Sequence, residues 1–129
     1  MPLKIIDWYT RGLIRATPKQ FYIFGDNLAM AGYGGQAKEA RNEPNSIGIP
    51  TKRYPGRKDE DYLADSDLAH WRIVAAPSMA RVLKELGRGA IVNMPADGIG
   101  TGLAKLKARA PLIWDELQAW ISELDKYRE

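Results

Sequence analysis

Apolar positions come in short bursts through the first half of the chain and at helical spacing through much of the second. Phe21-Tyr22-Ile23-Phe24 is an apolar, aromatic run that stops at Gly25-Asp26-Asn27, the pattern of a buried strand. Ser46-Ile47-Gly48-Ile49 reads as a second strand and Lys4-Ile5-Ile6 as a weaker edge strand. Ala90-Ile91-Val92-Asn93-Met94 is the clearest strand, short and apolar as if covered on both faces. Helix-favouring Ala37, Lys38, Glu39 and Ala40 predict a short helix from about Gln36 to Arg41, ended by Pro44. Residues 50 to 62, with Pro50, Pro55 and Gly56 among many charges, read as a loop.

Leu68, Trp71, Ala75, Met79, Val82 and Leu86 recur at spacings of three and four, a helix capped by Asp65 or Ser66 and closed by Gly87 and Gly89. Pro77 lies inside it and predicts a kink or restart. The last helix begins near Pro111 and runs to about Tyr127, with Ile113, Leu117, Trp120, Ile121 and Leu124 as its buried stripe. Strands alternating with helices predict an α/β sheet sandwiched between helix layers. No repeat or linker interrupts residues 1–129, so a single domain is expected.

Composition narrows the classes. Hydrophobic residues are 45% and charged residues 27%, an ordinary globular balance, and no apolar run approaches a membrane span. Met1 to Asp7 does not read as a signal peptide. The absence of cysteine removes disulfides, thiol catalysis and Cys-ligated zinc, and fits a cytoplasmic protein. With His70 the only histidine, no metal site is expected; on a helical stretch, it reads as structural. The net charge is +3, but residues 111–129 hold five acids against two bases, leaving +6 on the rest. A mildly basic body attracts phosphates without marking a duplex-DNA binder.

Two glycine-rich segments, Gly25 to Gln36 and Asp97 to Leu103, each leave a predicted strand and lead toward a helix. Glycine admits positive φ and lets a ligand approach without a Cβ in the way; exposed N–H groups, with a helix start behind them, make an anion cradle. Neither segment fits a P-loop or the dinucleotide fingerprint, and there is no Gly-x-Ser-x-Gly elbow.

Asn27-Leu28-Ala29-Met30-Ala31-Gly32-Tyr33-Gly34-Gly35-Gln36-Ala37 resembles the first loop of the macro-domain family. Met94-Pro95-Ala96-Asp97-Gly98-Ile99-Gly100-Thr101-Gly102-Leu103 resembles its second loop. Ile49-Pro50-Thr51-Lys52-Arg53 is similar to a stretch of the terminal ADP-ribose protein glycohydrolase branch. The order and spacing of all three match over about residues 20 to 124. The resemblance implies a three-layer α/β/α fold with a mixed central sheet, and ADP-ribose or an ADP-ribosylated macromolecule as partner, with no cofactor and no obligate protein partner.

By the same resemblance Asn27 faces the distal ribose, and Gly34, Gly35 and Gln36 line that ribose and the diphosphate. Gly100, Thr101 and Gly102 wrap the diphosphate from the other side, with Asp26, Tyr33, Thr51, Gly98, Ile99 and Leu103 completing the set. Lys52 matches the branch's nucleophilic lysine, suited to that task if burial or cations such as Arg53 activate it. The branch's aspartate after the Gly-Leu pair is Ala104 here, so Asp97 or Asp26 has to replace it for hydrolysis; Asp7 is a loose match to its adenine-binding aspartate.

Plainer readings stand beside these. Lys52 also fits a solvated loop lysine, Asp97 a turn cap, Asp26-Asn27 an Asx turn and Tyr33 loop packing. Trp8, Trp71, Trp114 and Trp120 read as packing residues. A non-catalytic reader of the same ligand is the nearest alternative, and a single-strand nucleic-acid binder using the basic face a more distant one.

Overall fold

The computed structural model describes residues 2–101 and 104–128. Four strands form one sheet in the order β1-β4-β2-β3: β1 is Leu3–Ile6, β2 Phe21–Asn27, β3 Ser46–Lys52 and β4 Val92–Pro95. All three ladders among the described residues are parallel, so the expected mixed sheet is not found there. The helices are α1 (Arg11–Ala16), α2 (Ala37–Ala40), α3 (Leu68–Gly87), α4 (Leu106–Arg109) and α5 (Pro111–Leu124).

Alternation along β2 sends its side chains to opposite faces. Tyr22 and Phe24 join Tyr9, Ile14 of α1 and Ala37 and Ala40 of α2 in one buried cluster. Ile23 joins the larger one, with Trp71, Ala75, Val82 and Leu86 of α3 and Ile113, Leu117, Trp120 and Leu124 of α5. The helical stripes foreseen in the sequence are thus the buried faces; Leu68, Met79 and Ile121 pack at their margins. Gly89, at φ 82°, closes α3: its N–H donates to Leu86 O and that of Ala90 to Glu85 O, satisfying two end carbonyls.

Several boundaries differ from expectation. α3 runs unbroken through Pro77, with neither a restart nor an end there. The carbonyl orphaned by Pro77 belongs to Ile73, which is exposed, so water can satisfy it. Pro50, read as a loop start, lies in β3, because β3 is an edge strand and needs no N–H on its open side. β2 and β3 each extend three residues further than their apolar runs, and α1 and α4 were not foreseen. Among the described residues no helix is long and apolar enough to cross a membrane.

Candidate functional site

The strand order locates a crevice. β2 leads to α2 on one face, whereas β4 leads toward α5 on the other, so the chain turns opposite ways above two adjacent strands. Ligands of parallel α/β sheets sit at the carboxyl ends of such a pair. β2 and β4 pair only at Phe21↔Val92 and Tyr22↔Asn93, and beyond that they separate. The Ile23 carbonyl, released from the ladder, accepts the buried Tyr9 hydroxyl instead.

A cavity of about 460 Å³ occupies this gap, within the range of small-molecule sites. Its walls are the loop after β2, the loop after β4, the end of β3 and the segment after β1. Asp26, Asn27, Gly34, Gly35, Gln36, Thr51, Lys52, Asp97, Gly98, Ile99, Gly100 and Thr101 all line it, so most of the residues singled out in the sequence converge. Gly102 and Leu103 lie outside the described residues. Tyr33 is not in the wall; it is 60% exposed, and its hydroxyl accepts from Asn42 Nδ2 over 3.4 Å.

In the first loop the cradle is main chain. Among the described residues nothing accepts the N–H of Gly34, Gly35 or Gln36. The side chains are otherwise engaged: Asn27 Nδ2 donates to Ala31 O over 2.7 Å and Gln36 Nε2 to Tyr9 O over 2.7 Å. Asn27 and Gln36 thus tie the loop while also lining the cavity. The helix behind the loop, α2, is a single turn, so the cradle's donors are the loop's own amides.

In the second loop Ile99 is a core residue in the larger apolar cluster and also borders the cavity. Gly100, at φ 81°, is where the backbone must come close: a Cβ there would lie 2.9 Å from Leu106 Cδ2. The N–H groups of Ile99, Gly100 and Thr101 have no acceptor among the described residues, while Gly98 N–H closes a turn on Pro95 O. Asp97 is exposed; its carbonyl accepts the Thr101 hydroxyl over 3.1 Å.

β3 brings Thr51 and Lys52 to the same wall through a bulge. The register passes from Asp26↔Pro50 to Asn27↔Lys52, so Thr51 is the extra residue and two consecutive side chains reach one cavity. Thr51 is buried, its hydroxyl donating to Asp26 O over 3.2 Å. Lys52 Nζ donates to Gly56 O and stands 4.7 Å from the Tyr62 ring centre, a cation held at the wall. Arg53, expected to help activate it, turns to Asp67 at 2.6 Å. Burial, which raises a carboxyl, is outweighed at Asp67 by the Ala64 N–H and the Arg53 guanidinium, which hold it below the usual carboxylate range.

Sequence reasoning missed several wall residues, Trp8 and Arg41 among them. Trp8, taken as packing, is 58% exposed beside the cavity, a flat aromatic face next to Asp7. Arg41, only 6% exposed, pairs with Asp26 and donates to Gly32 O and Ala31 O. In the sequence it has no role beyond the end of a short helix, and its partners lie 9 to 15 positions away. Asp26 is thereby tied to a guanidinium as well as to the Asn27 N–H, and Ala104 lines the same cavity.

Residues 4–120 match a family described as Family of unknown function (DUF7831). The chain belongs to that family. No curated protein and no solved structure matches it.

Proposed function

We propose that the chain binds ADP-ribose or a related nucleotide in the cleft, on a macro-like three-layer α/β/α fold. One observation carries the reading: main-chain N–H groups of two glycine-rich loops that lack acceptors among the described residues, and the Lys52 cation, border one cavity at the carboxyl ends of parallel strands. That is the chemistry of a diphosphate cradle, with fixed dipoles on both sides and a point charge at the wall. The exposed face of Trp8 beside Asp7 suits the nucleobase end. Titrating ADP-ribose into ¹⁵N-labelled protein tests the placement. The amides of Gly34, Gly35, Gln36, Gly100 and Thr101 move first on this reading, and shifts confined to other surfaces contradict it.

A second reading, hydrolysis of an ADP-ribosyl linkage, is favoured by Lys52 opposite Asn27 in that wall. Unprotonated Nζ would bond to the anomeric carbon as that carbon's bond to the target breaks, the electron pair leaving with the target. Water would then displace the lysine. Ala104 and the Arg41-bound Asp26 leave exposed Asp97 as the acid/base partner, which weighs toward binding alone. Release of label from an ADP-ribosylated carboxylate ester, abolished by Lys52→Ala and by Asp97→Asn, would establish turnover. No release between about pH 6 and about pH 9 leaves a reader.

A further inference from the structure

We infer that Arg41 is a positioning residue that builds the first loop in ligand-ready form before any ligand arrives. The inference rests on the proposed nucleotide cleft for what the loop receives, but its own argument is geometric. Arg41 borders the cavity, yet its guanidinium is turned to the protein. Nε donates to Gly32 O at 2.5 Å, Nη2 to Ala31 O at 3.1 Å and to Asp26 Oδ1, and Nη1 to Asp26 Oδ2 at 3.3 Å. Four of the five guanidinium N–H groups are thus engaged, so Arg41 acts on a ligand through the loop rather than by gripping phosphate.

What it holds is a segment that would not keep this shape alone. Met30 sits at φ 54°, in the left-handed region that a side chain disfavours, and is 64% exposed, so its own packing does not hold it there. Strained backbone persists where its surroundings over-determine it. Arg41 supplies that from the next two residues, taking the carbonyls of Ala31 and Gly32, while Asn27 holds Ala31 from the other side. Asp26, at the end of β2, anchors the guanidinium to the sheet. A planar fork is needed to reach two successive carbonyls and a carboxylate at once; a lysine cannot do it.

Hydrogen exchange in free and ADP-ribose-saturated protein tests this. In the free wild-type protein the amides of Met30 and Ala31 should already be protected, and saturation should change their protection little. Arg41→Lys should lose at least about tenfold of that protection, regain it at saturating ADP-ribose, and bind about tenfold more weakly, as expected when few free molecules are competent. Protection at Ile23, Ile47 and Val92 should stay unchanged, which separates a loosened loop from a loosened fold. Asp26→Asn, which keeps an acceptor but removes the charge, should fall between the two. A wild-type loop that exchanges freely until ligand is added overturns the inference without any variant, and so does an Arg41→Lys protein with an intact loop. A loop protected by Arg41 in a protein that ADP-ribose does not bind would sink the nucleotide reading while leaving the clamp standing.

Discussion

Gln36 Nε2 donates to the main-chain carbonyl of Tyr9 over 2.7 Å, joining the first glycine-rich loop to the segment that carries Asp7 and Trp8. Two walls of the cleft are therefore one hydrogen-bonded unit. Gln36→Ala should cost about 1 kcal/mol of ADP-ribose binding, roughly fivefold in Kd, through loss of that tie. Gln36→Glu, whose carboxylate cannot donate to the carbonyl, should bind no better than the alanine variant. Calorimetry on the pair checks it, and wild-type affinity in both would show that the tie is irrelevant.

The glycines of the first loop should separate into two kinds. Gly34 has open space where a Cβ would go, so Gly34→Val should melt within a few degrees of wild type while losing at least about tenfold in ADP-ribose affinity. Gly32 is at φ 87°, and a Cβ there would lie 2.7 Å from Pro55 Cβ, so Gly32→Ala should destabilise the fold by about 1–3 kcal/mol. Thermal melts beside titrations measure both effects. A folded Gly34→Val protein with unchanged affinity would remove the first loop from the binding site.

Burial, and secondarily the neighbouring Tyr22, pushes the Tyr9 phenol above its ordinary value of about 10. The folded state favours the neutral phenol. Its contribution is therefore complete below about pH 10 and is lost as pH rises toward the folded value. Tyr9→Phe should cost about 1–2 kcal/mol at neutral pH, because the buried Ile23 carbonyl loses its donor, and should flatten the alkaline limb. Urea unfolding across that range reports it; a limb of unchanged slope would assign the alkaline loss to other groups.

The acidic limb should depend on Glu43. The Arg15 hydrogen bond, opposed by burial and helped by Arg11, holds its carboxyl below the usual range. A depressed carboxylate contributes stability above its unfolded value, and that stability is lost as pH falls through the folded value. Glu43→Gln should make the denaturation midpoint less sensitive to pH below about 4.5. An acid limb as steep as the wild type's would contradict this.

The long-range plan was legible where one residue type carries the signal. Helical stripes on α3 and α5 follow from the 3.6 period, and the two loops follow from their glycines. Missing from the sequence was whatever depends on partners far along the chain. α1 has one buried residue, Ile14, and is held by the Thr10 cap, by Asn45 Nδ2 at the Ile14 carbonyl and by Arg11 and Arg15 on Glu43. Arg41 and Trp8 escaped for the same reason: neither lies in a period, and only the folded chain brings them to the cleft. Pro50 misled because an edge strand tolerates what a central one does not.

The most direct test of the central claim is a calorimetric titration with ADP-ribose, set beside AMP and repeated at higher salt. A cleft lined by the amides of both loops predicts a Kd on the order of micromolar, with AMP weaker by at least about tenfold for want of the second phosphate and distal ribose. Salt dependence should be shallow, unlike that of a strand-binding surface. No heat and no thermal shift at about millimolar ADP-ribose, more than 4 kcal/mol short of the expected affinity, would contradict the assignment of this cleft to a nucleotide.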